Sequence, residues 1–279
     1  MIRWNLHTHT TDSDGELSAS DLARRAVDEG FLGIAVTDHY PYPDRDPETL
    51  DWKLSRDQLV RRLERLKRLS ENEGRLIILR GIEVEFMEPL DLLERSLEGL
   101  DADFVLGAVH VLGHWMLDWS EAEFLRAGEF FGSLETAIRR YFDAVAELAE
   151  SGLVDCLAHL DLVKKYNPGQ RHFSQRSGWY VDAAKMCLDR IAEAGVSIEL
   201  NTGGLTRHPT GEMYPSGWLL RRAADLGVEV TVGTDLHGAD EGVAEGLDQA
   251  ELGLREAGYQ SYFIFKNRRR EEVRLDSGR

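Results

Sequence analysis

The chain has only two cysteines, seven prolines and a deficit of positive charge, with 33 Lys+Arg against 50 Asp+Glu over 279 residues. Cys156 and Cys187 sit in the apolar stretches VDCLA and KMCLD without CxxC spacing, which excludes a disulfide framework and a thiolate metal site. Buried free thiols in a reducing compartment are expected instead. No uninterrupted apolar run approaches the ~18 residues of a membrane span. Residues 1–7 carry no apolar h-region, so no signal peptide and a cytoplasmic location are expected. A formal charge of −17 repels polyanions, and a nucleic-acid partner would require a compensating basic face. The densest basic cluster, Lys266, Arg268, Arg269 and Arg270, stands beside Glu271 and Glu272 and reads as a solvated segment, so neither a nucleic-acid nor a membrane partner is expected. With 42% hydrophobic and 30% charged residues, the composition is globular and excludes disordered and fibrous classes.

Short β-branched or apolar runs alternate with longer segments of helical period, the pattern of a parallel sheet wrapped by helices. Strands are expected to end near Leu6, Thr37, Val84, Val109, Ala158, Leu200 and Gly233. A last apolar run, Tyr262 to Phe265, is expected to close or edge the sheet. Helices are expected at about 20–29, 55–72, 89–98, 133–151, 178–194, 216–226 and 240–257. Ser55 with Gln58 is a capping-box pair, and Gly30, Gly74, Gly152, Gly195, Gly227 and Gly258 fall where helices should stop. The expected fold is α/β, a distorted (β/α)7 TIM-like barrel forming a single domain over residues 1–279, with about 270–279 a flexible tail. Two long connections, from Tyr40 to Leu54 (Pro41, Pro43, Pro47) and from Leu160 to Ser177 (Pro168-Gly169), have the length of binding elements.

Active sites of such barrels gather at the C-terminal ends of the strands. The expected strands end in His7-Thr8-His9, Asp38-His39, Glu83 with Glu85 behind it, His110, His159, Asn201, and Asp235 with His237. Six of the nine histidines therefore mark strand ends on one face, which points to a metal site. His-x-His in a β segment puts both imidazoles on one side, and Asp-x-His repeats that geometry. Imidazole and carboxylate without thiolate select Zn²⁺, Mn²⁺ or Fe²⁺. The donors are too many for one ion, so two or three divalent ions are expected, with Glu83 a natural bridge because it has two oxygens. His114 does not complete an HExxH zincin motif, since Val111 follows His110.

These residues resemble the PHP (polymerase and histidinol phosphatase) superfamily, in its histidinol-phosphatase-like branch. His7-Thr8-His9-Thr10-Thr11-Asp12-Ser13-Asp14-Gly15 is similar to its first motif, Thr37-Asp38-His39 to its second, and Gly233-Thr234-Asp235-Leu236-His237 to its last. Between them Gly81-Ile82-Glu83, Gly107 to His110, Ala158 to Asp161, Glu199 to Leu205 and Tyr214-Pro215-Ser216 follow in order. Thr234 and Leu236 depart from the Ser and Ala of the family without removing a ligand type. The resemblance implies a barrel holding three metals that hydrolyses a phosphate ester. It implies a first metal on His7, His9, Glu83 and Asp235, a second on Glu83, His110 and His159, and a third on Asp14, His39 and His237. Asp12 is the alternative to Asp14.

A phosphate monoester dianion repels an anionic nucleophile, so such a site must supply positive charge and a hydroxide at neutral pH, which bridging metals do. Glu83, Asp235 and His237 are the candidate catalytic residues. Candidate phosphate or substrate contacts are Arg207, which matches the family position, with Arg171, Lys165, Lys164 and Asn201. His172 and His208 read as solvated loop residues, and Trp115, Trp119 and Tyr214 as wall or core aromatics. The Asn-Thr-Gly-Gly-Leu and Tyr-Pro-Ser matches imply L-histidinol phosphate as the substrate, hydrolysed to L-histidinol and phosphate in histidine biosynthesis. Rival readings are a phosphoesterase of nucleotides, short oligonucleotides or phosphotyrosine, and a non-catalytic or polymerase-accessory module.

Overall fold

The barrel strands are almost wholly buried, as parallel strands covered on both faces are. The structure, a computed structural model, describes residues 1–40 and 54–275, so most of the proline-bearing connection after the second strand lies outside the described residues. The barrel strands are β1 (Trp4–Asn5), β2 (Gly33–Val36), β3 (Ile77–Glu85), β4 (Phe104–Ala108), β5 (Cys156–Leu157), β6 (Ser197–Asn201) and β7 (Val230–Gly233). They pair in chain order and all in parallel. The amide of Leu6 donates to the Val232 carbonyl and that of Asp235 to the His7 carbonyl, both at 2.9 Å, so β7 returns to β1. The expected distorted (β/α)7 barrel is what forms.

Among the described residues, seven helices of at least seven residues cover it: α1 (Ala19–Asp28), α2 (Arg56–Glu73), α3 (Asp91–Leu97), α4 (Leu134–Glu150), α5 (Gly178–Ala194), α6 (Gly217–Asp225) and α7 (Leu247–Ala257). The Ser55–Gln58 capping box is present, and the left-handed Gly74 ends α2. In α4 the buried Ile138, Tyr141, Phe142, Val145 and Leu148 recur every three or four residues and form the stripe laid on the barrel. Helix α7 begins seven residues later than the expected position near 240. The amides of Val243 and Ala244 donate to the Glu29 carboxylate, and Gly246 takes a left-handed conformation just before the helix.

The run from Tyr262 to Phe265 does not join the barrel. It lies in β8 (Ser261–Lys266), which pairs antiparallel with β9 (Arg269–Arg274) as a separate hairpin. The expected tail from about 270 is therefore a strand as far as Arg274. The physical reason is a set of acids preceding the barrel strands. Arg268 Nε lies 2.6 Å from Asp155 Oδ2, its amide donates to the Asp103 carbonyl at 2.9 Å, and Arg270 pairs with Glu229. Phe265 stacks on Phe104 with ring centroids 5.1 Å apart. The hairpin thus floors the N-terminal end of the barrel, and Arg268 and Arg270 of the basic cluster are spent on this docking. Sequence patterning also missed the connection between β4 and α4, which holds a ribbon (Val111–Leu112 with Trp115–Met116) and two helical turns, Glu121–Leu125 and Ala127–Phe131.

Candidate metal centre

All nine expected ligands converge at the C-terminal mouth of the barrel. His7 Nε2 and His9 Nε2 are 3.0 Å apart, because alternate residues leaving β1 point the same way. Each lies 3.4 Å from Glu83 Oε2, and they lie 3.3 and 3.4 Å from Asp235 Oδ1. A tetrahedral ion with bonds of about 2.0–2.1 Å has donor–donor edges of about 3.3 Å, so this set has the spacing of one site. The other Glu83 oxygen, Oε1, is 3.2 Å from His159 Nε2 and 3.7 Å from His110 Nε2, and those two nitrogens are 3.2 Å apart. Asp14 Oδ2 lies 3.3 Å from His237 Nε2 and 3.5 Å from His39 Nε2. His39 Nδ1 also sits 3.1 Å from Glu83 Oε2, so the groups form one continuous chain of donors. Asp12, the alternative to Asp14, pairs instead with Arg65 at 2.6 Å.

The donors fit divalent cations. Glu83 Oε2 is buried and accepts no hydrogen bond, although three imidazole nitrogens crowd it at 3.1–3.4 Å. His9 Nδ1 and His159 Nδ1 are buried and make no hydrogen bond either, His9 Nδ1 lying 3.3 Å from Asp14 Oδ1. An uncompensated buried carboxylate oxygen is costly, and a cation shared with those nitrogens removes the cost. Burial opposes a charge on His7, but Glu199, Asp235 and Glu83 outweigh it and push the imidazole up to about 10. Burial likewise opposes charge on His110, and Glu85 and Asp118 push it up to about 10. Despite burial, His39 and His9 hold the Asp14 carboxyl far below the usual range, as His39 and His7 do for Glu83. The pocket is organised for positive charge among its carboxylates. Two candidate ligand positions carry backbone strain, with φ of 56° at Asp235 and 24° at His159.

Two outer carboxylates orient the rings. Glu199 Oε1 is 2.8 Å from His7 Nδ1, and Glu85 Oε2 is 2.8 Å from His110 Nδ1, leaving Nε2 of each ring to face the site. Asp38 is no ligand. It accepts from Thr10 N at 2.6 Å, Ser13 Oγ at 2.8 Å and Arg62 Nε at 2.7 Å, tethering the loop that carries Asp14.

A cavity of about 360 Å³ opens above the donors, walled in part by Asp118, Trp119, Lys165, Arg207 and His208. Of the expected phosphate contacts, Arg207 and Lys165 thus face it. Arg207 Nη2 is 3.2 Å from Asp235 Oδ2, and Lys165 Nζ donates to the Asp118 carbonyl at 2.9 Å. Arg171 does not line the cavity, because its guanidinium is drawn to Glu121 on the exposed side. Lys164 is buried in an ion pair with Asp161 at 3.1 Å. Asn201 is not a substrate contact either. Its Nδ2 donates to Glu199 Oε2 at 3.0 Å and its Oδ1 accepts from Gly203 N at 2.9 Å.

Of the loop histidines, His172 pairs with Glu121 at 2.7 Å, whereas His208 belongs to the cavity wall. Burial, with Lys165 and Arg207 nearby, pushes His208 down to about 3, so its imidazole is neutral and its Nδ1 sits 2.8 Å from the Tyr214 hydroxyl. Trp115 is core, fully buried with its indole N–H donating to the Phe124 carbonyl, while Trp119 is half exposed at the cavity. Asp118, Glu85 and Glu199 were not expected as functional groups. Asp118 is a lone carboxylate in the sequence, whereas Glu85 stands two residues beyond Glu83 and Glu199 opens the family-like segment Glu199 to Leu205.

A family model described as PHP domain matches residues 5–203. Over 239 residues the chain is 32% identical to a probable histidinol-phosphatase of Deinococcus radiodurans, covering 84% of this chain and 85% of that protein. Over 253 residues it is 25% identical to the histidinol-phosphatase of Bacillus subtilis, covering 85% of this chain and 93% of that one. The crystal structure of histidinol phosphate phosphatase from Lactococcus lactis subsp. lactis, complexed with zinc, L-histidinol and phosphate, superposes with a TM-score of 0.76. That likeness of fold covers 96% of this chain and 98% of the other, at 22% identity.

Proposed function

Because the chain belongs to the PHP domain family, we propose that it is a metal-dependent phosphatase that hydrolyses L-histidinol phosphate to L-histidinol and phosphate. The observation that carries this reading is the nine-residue donor cluster, buried except around Asp14, His39 and His237, beneath a cavity that presents both cations and a carboxylate. His7, His9, Glu83 and Asp235 would hold one divalent ion, Glu83, His110 and His159 a second, and Asp14, His39 and His237 a third. Bound Zn²⁺, Mn²⁺ or Fe²⁺ would supply Lewis-acid charge to the phosphoryl oxygens and lower the pKa of water to about 7.

The chain's own residues do the rest. Arg207 offers a planar fork of donors to the phosphoryl group, and Lys165 adds a second positive charge in the same wall. Together with the ions they make a positive pocket inside an acidic protein, which is how a dianion is drawn to a chain of charge −17. The leaving alcohol of the proposed substrate carries an ammonium and an imidazole. Asp118, whose burial raises its carboxyl but which Lys165 and nearby histidines hold below the usual range, is the carboxylate in the cavity wall suited to the ammonium. Trp119 beside it offers an aromatic face to the ring. Among the described residues no helix is long and apolar enough to cross a membrane. We place the enzyme in the cytoplasm, a location its two buried free thiols suit.

Phosphate release is the test, with protein reconstituted separately with Mn²⁺, Zn²⁺ and Fe²⁺ and offered L-histidinol phosphate, p-nitrophenyl phosphate or a nucleoside monophosphate. A kcat/KM of about 10⁴ M⁻¹s⁻¹ or above for histidinol phosphate alone supports the assignment. Equally weak release from all three discards the substrate and keeps the metal site. Preference for the nucleotide transfers the reading to a nucleotide phosphoesterase.

A further inference from the structure

The two outer carboxylates have different reach. Glu85 serves a single ligand, taking the His110 ring nitrogen on Oε2 and the amides of His110 and Val111 on Oε1 at 2.8 and 3.1 Å. Glu199 spans two. Its Oε1 meets His7 Nδ1 at 2.8 Å, while Oε2 accepts from the His159 amide and from Asn201 Nδ2, both at 3.0 Å. His7 leaves β1 and His159 follows β5, so one buried side chain on β6 binds residues on both sides of it.

We propose that Glu199 is a positioning residue that fixes the His7 tautomer and the His159 backbone together, and so couples occupancy of the first ion to that of the second. The proposal rests on the metal-site reading above. Three donors converge on Glu199, and only a carboxylate accepts at both ends. With the Nδ1 proton of His7 given to Oε1, the Nε2 lone pair is free to ligate. A glutamine cannot reproduce this. If its oxygen faces His7, its NH₂ meets the amide of His159 and the NH₂ of Asn201, donor against donor. If its NH₂ faces His7, the ring must carry its proton on Nε2, where it cannot bind metal.

The packing is built around the contact. A Cβ at Gly233 would lie 2.1 Å from Glu199 Oε1 and 2.4 Å from His7 Cβ, so the absence of a side chain there lets the carboxylate reach the ring. His159 holds a φ of 24°, and its amide is tied to Glu199, which is only 1% exposed. Strain of that kind persists only where surrounding bonds impose it.

The experiment titrates Zn²⁺ into chelator-stripped full-length protein and counts bound zinc by mass spectrometry, with circular dichroism as the check on folding. Glu199→Gln is expected to stay folded but to bind zinc about 10- to 100-fold more weakly at two positions, whereas Glu85→Gln weakens one. Activity of Glu199→Gln should recover at saturating metal through kcat, with KM little changed. Wild-type zinc stoichiometry and affinity in a folded Glu199→Gln would overturn the proposal. Should that variant not fold, ¹⁵N NMR of zinc-loaded wild type decides, since the proposal requires His7 protonated on Nδ1 and a proton on Nε2 refutes it. Wild-type protein that takes up no zinc at all takes the metal-site reading down together with this one.

Discussion

Arg207 Nη2 lies 3.2 Å from Asp235 Oδ2, so the main cation of the cavity wall is held against a carboxylate that faces the donor cluster. The same guanidinium has Nε 3.6 Å from Glu241 Oε2, which keeps the fork at the edge of the cavity. Arg207→Ala is expected to lower kcat/KM for histidinol phosphate by about 10²–10³-fold, the usual cost of losing one preorganised donor. Arg207→Lys should recover little, because a point charge does not replace a bidentate fork. Steady-state kinetics with zinc content measured alongside is the check. Unchanged kcat/KM in a fully metallated Arg207→Ala would remove this residue from the phosphate site.

Asp118 distinguishes substrates by their leaving group. Asp118→Asn is expected to cost about 10- to 100-fold in kcat/KM for histidinol phosphate, in line with losing a hydrogen bond to a charged partner. Release from p-nitrophenyl phosphate, which has no ammonium, should change by less than about threefold on the same reasoning. Equal losses on both substrates would mean that Asp118 acts through Lys165 and the cluster.

Metal uptake should release protons. In the metal-free protein His7 and His110 are pushed up to about 10, so both carry a proton at pH 8. A ligating imidazole must be neutral, and these two rings are therefore expected to release at least about two protons per chain on zinc binding at that pH, with His9, which Asp14 pushes well above the usual imidazole range despite its burial, adding to the count. The sign for stability follows from the same shift. A raised folded pKa stabilises the metal-free fold fully below the ordinary imidazole value near 6.5, and that contribution is lost as pH rises through about 10. Metal occupancy runs the other way, rising with pH. Calorimetry of zinc binding in buffers of different ionisation enthalpy counts the protons, and a count near zero would contradict protonated His7 and His110 in the metal-free site.

The hairpin at the barrel floor predicts a separation of stability from function. Phe265 is 2% exposed and stacked on Phe104, so Phe265→Ala should destabilise the protein by about 3–5 kcal/mol. Zinc content at low temperature should stay at the wild-type level, because the hairpin docks at the end of the barrel opposite the ligands. Urea denaturation measures the first and metal analysis the second. A loss below about 1 kcal/mol would mean that the hairpin is not part of the cooperative fold.

The sequence by itself determined the barrel and the candidate ligands at its mouth. Alternating short apolar runs and helical segments dictate a parallel sheet, and in such a sheet strand ends share one face, so His7, His9, His39, Glu83, His110, His159, Asp235 and His237 could be gathered without a structure. Asp14 was legible only through its motif, with Asp12 as a rival until the structure paired Asp12 with Arg65.

What only the tertiary structure decided is which polar groups act through others. Glu199 meets His7 across 192 residues of sequence and Glu85 meets His110 across 25, and neither separation leaves a local pattern. Arg171 and Asn201 have the right chemistry for substrate, yet one is drawn off by Glu121 and the other is committed to Glu199. The basic stretch after Lys266 has the composition of a solvated tail, but Asp155 and Glu229 at the starts of barrel strands turn it into the floor. Periodicity records which face of an element is buried. The partner of a single charge is fixed only when distant strands close the barrel and bring the two side chains into reach.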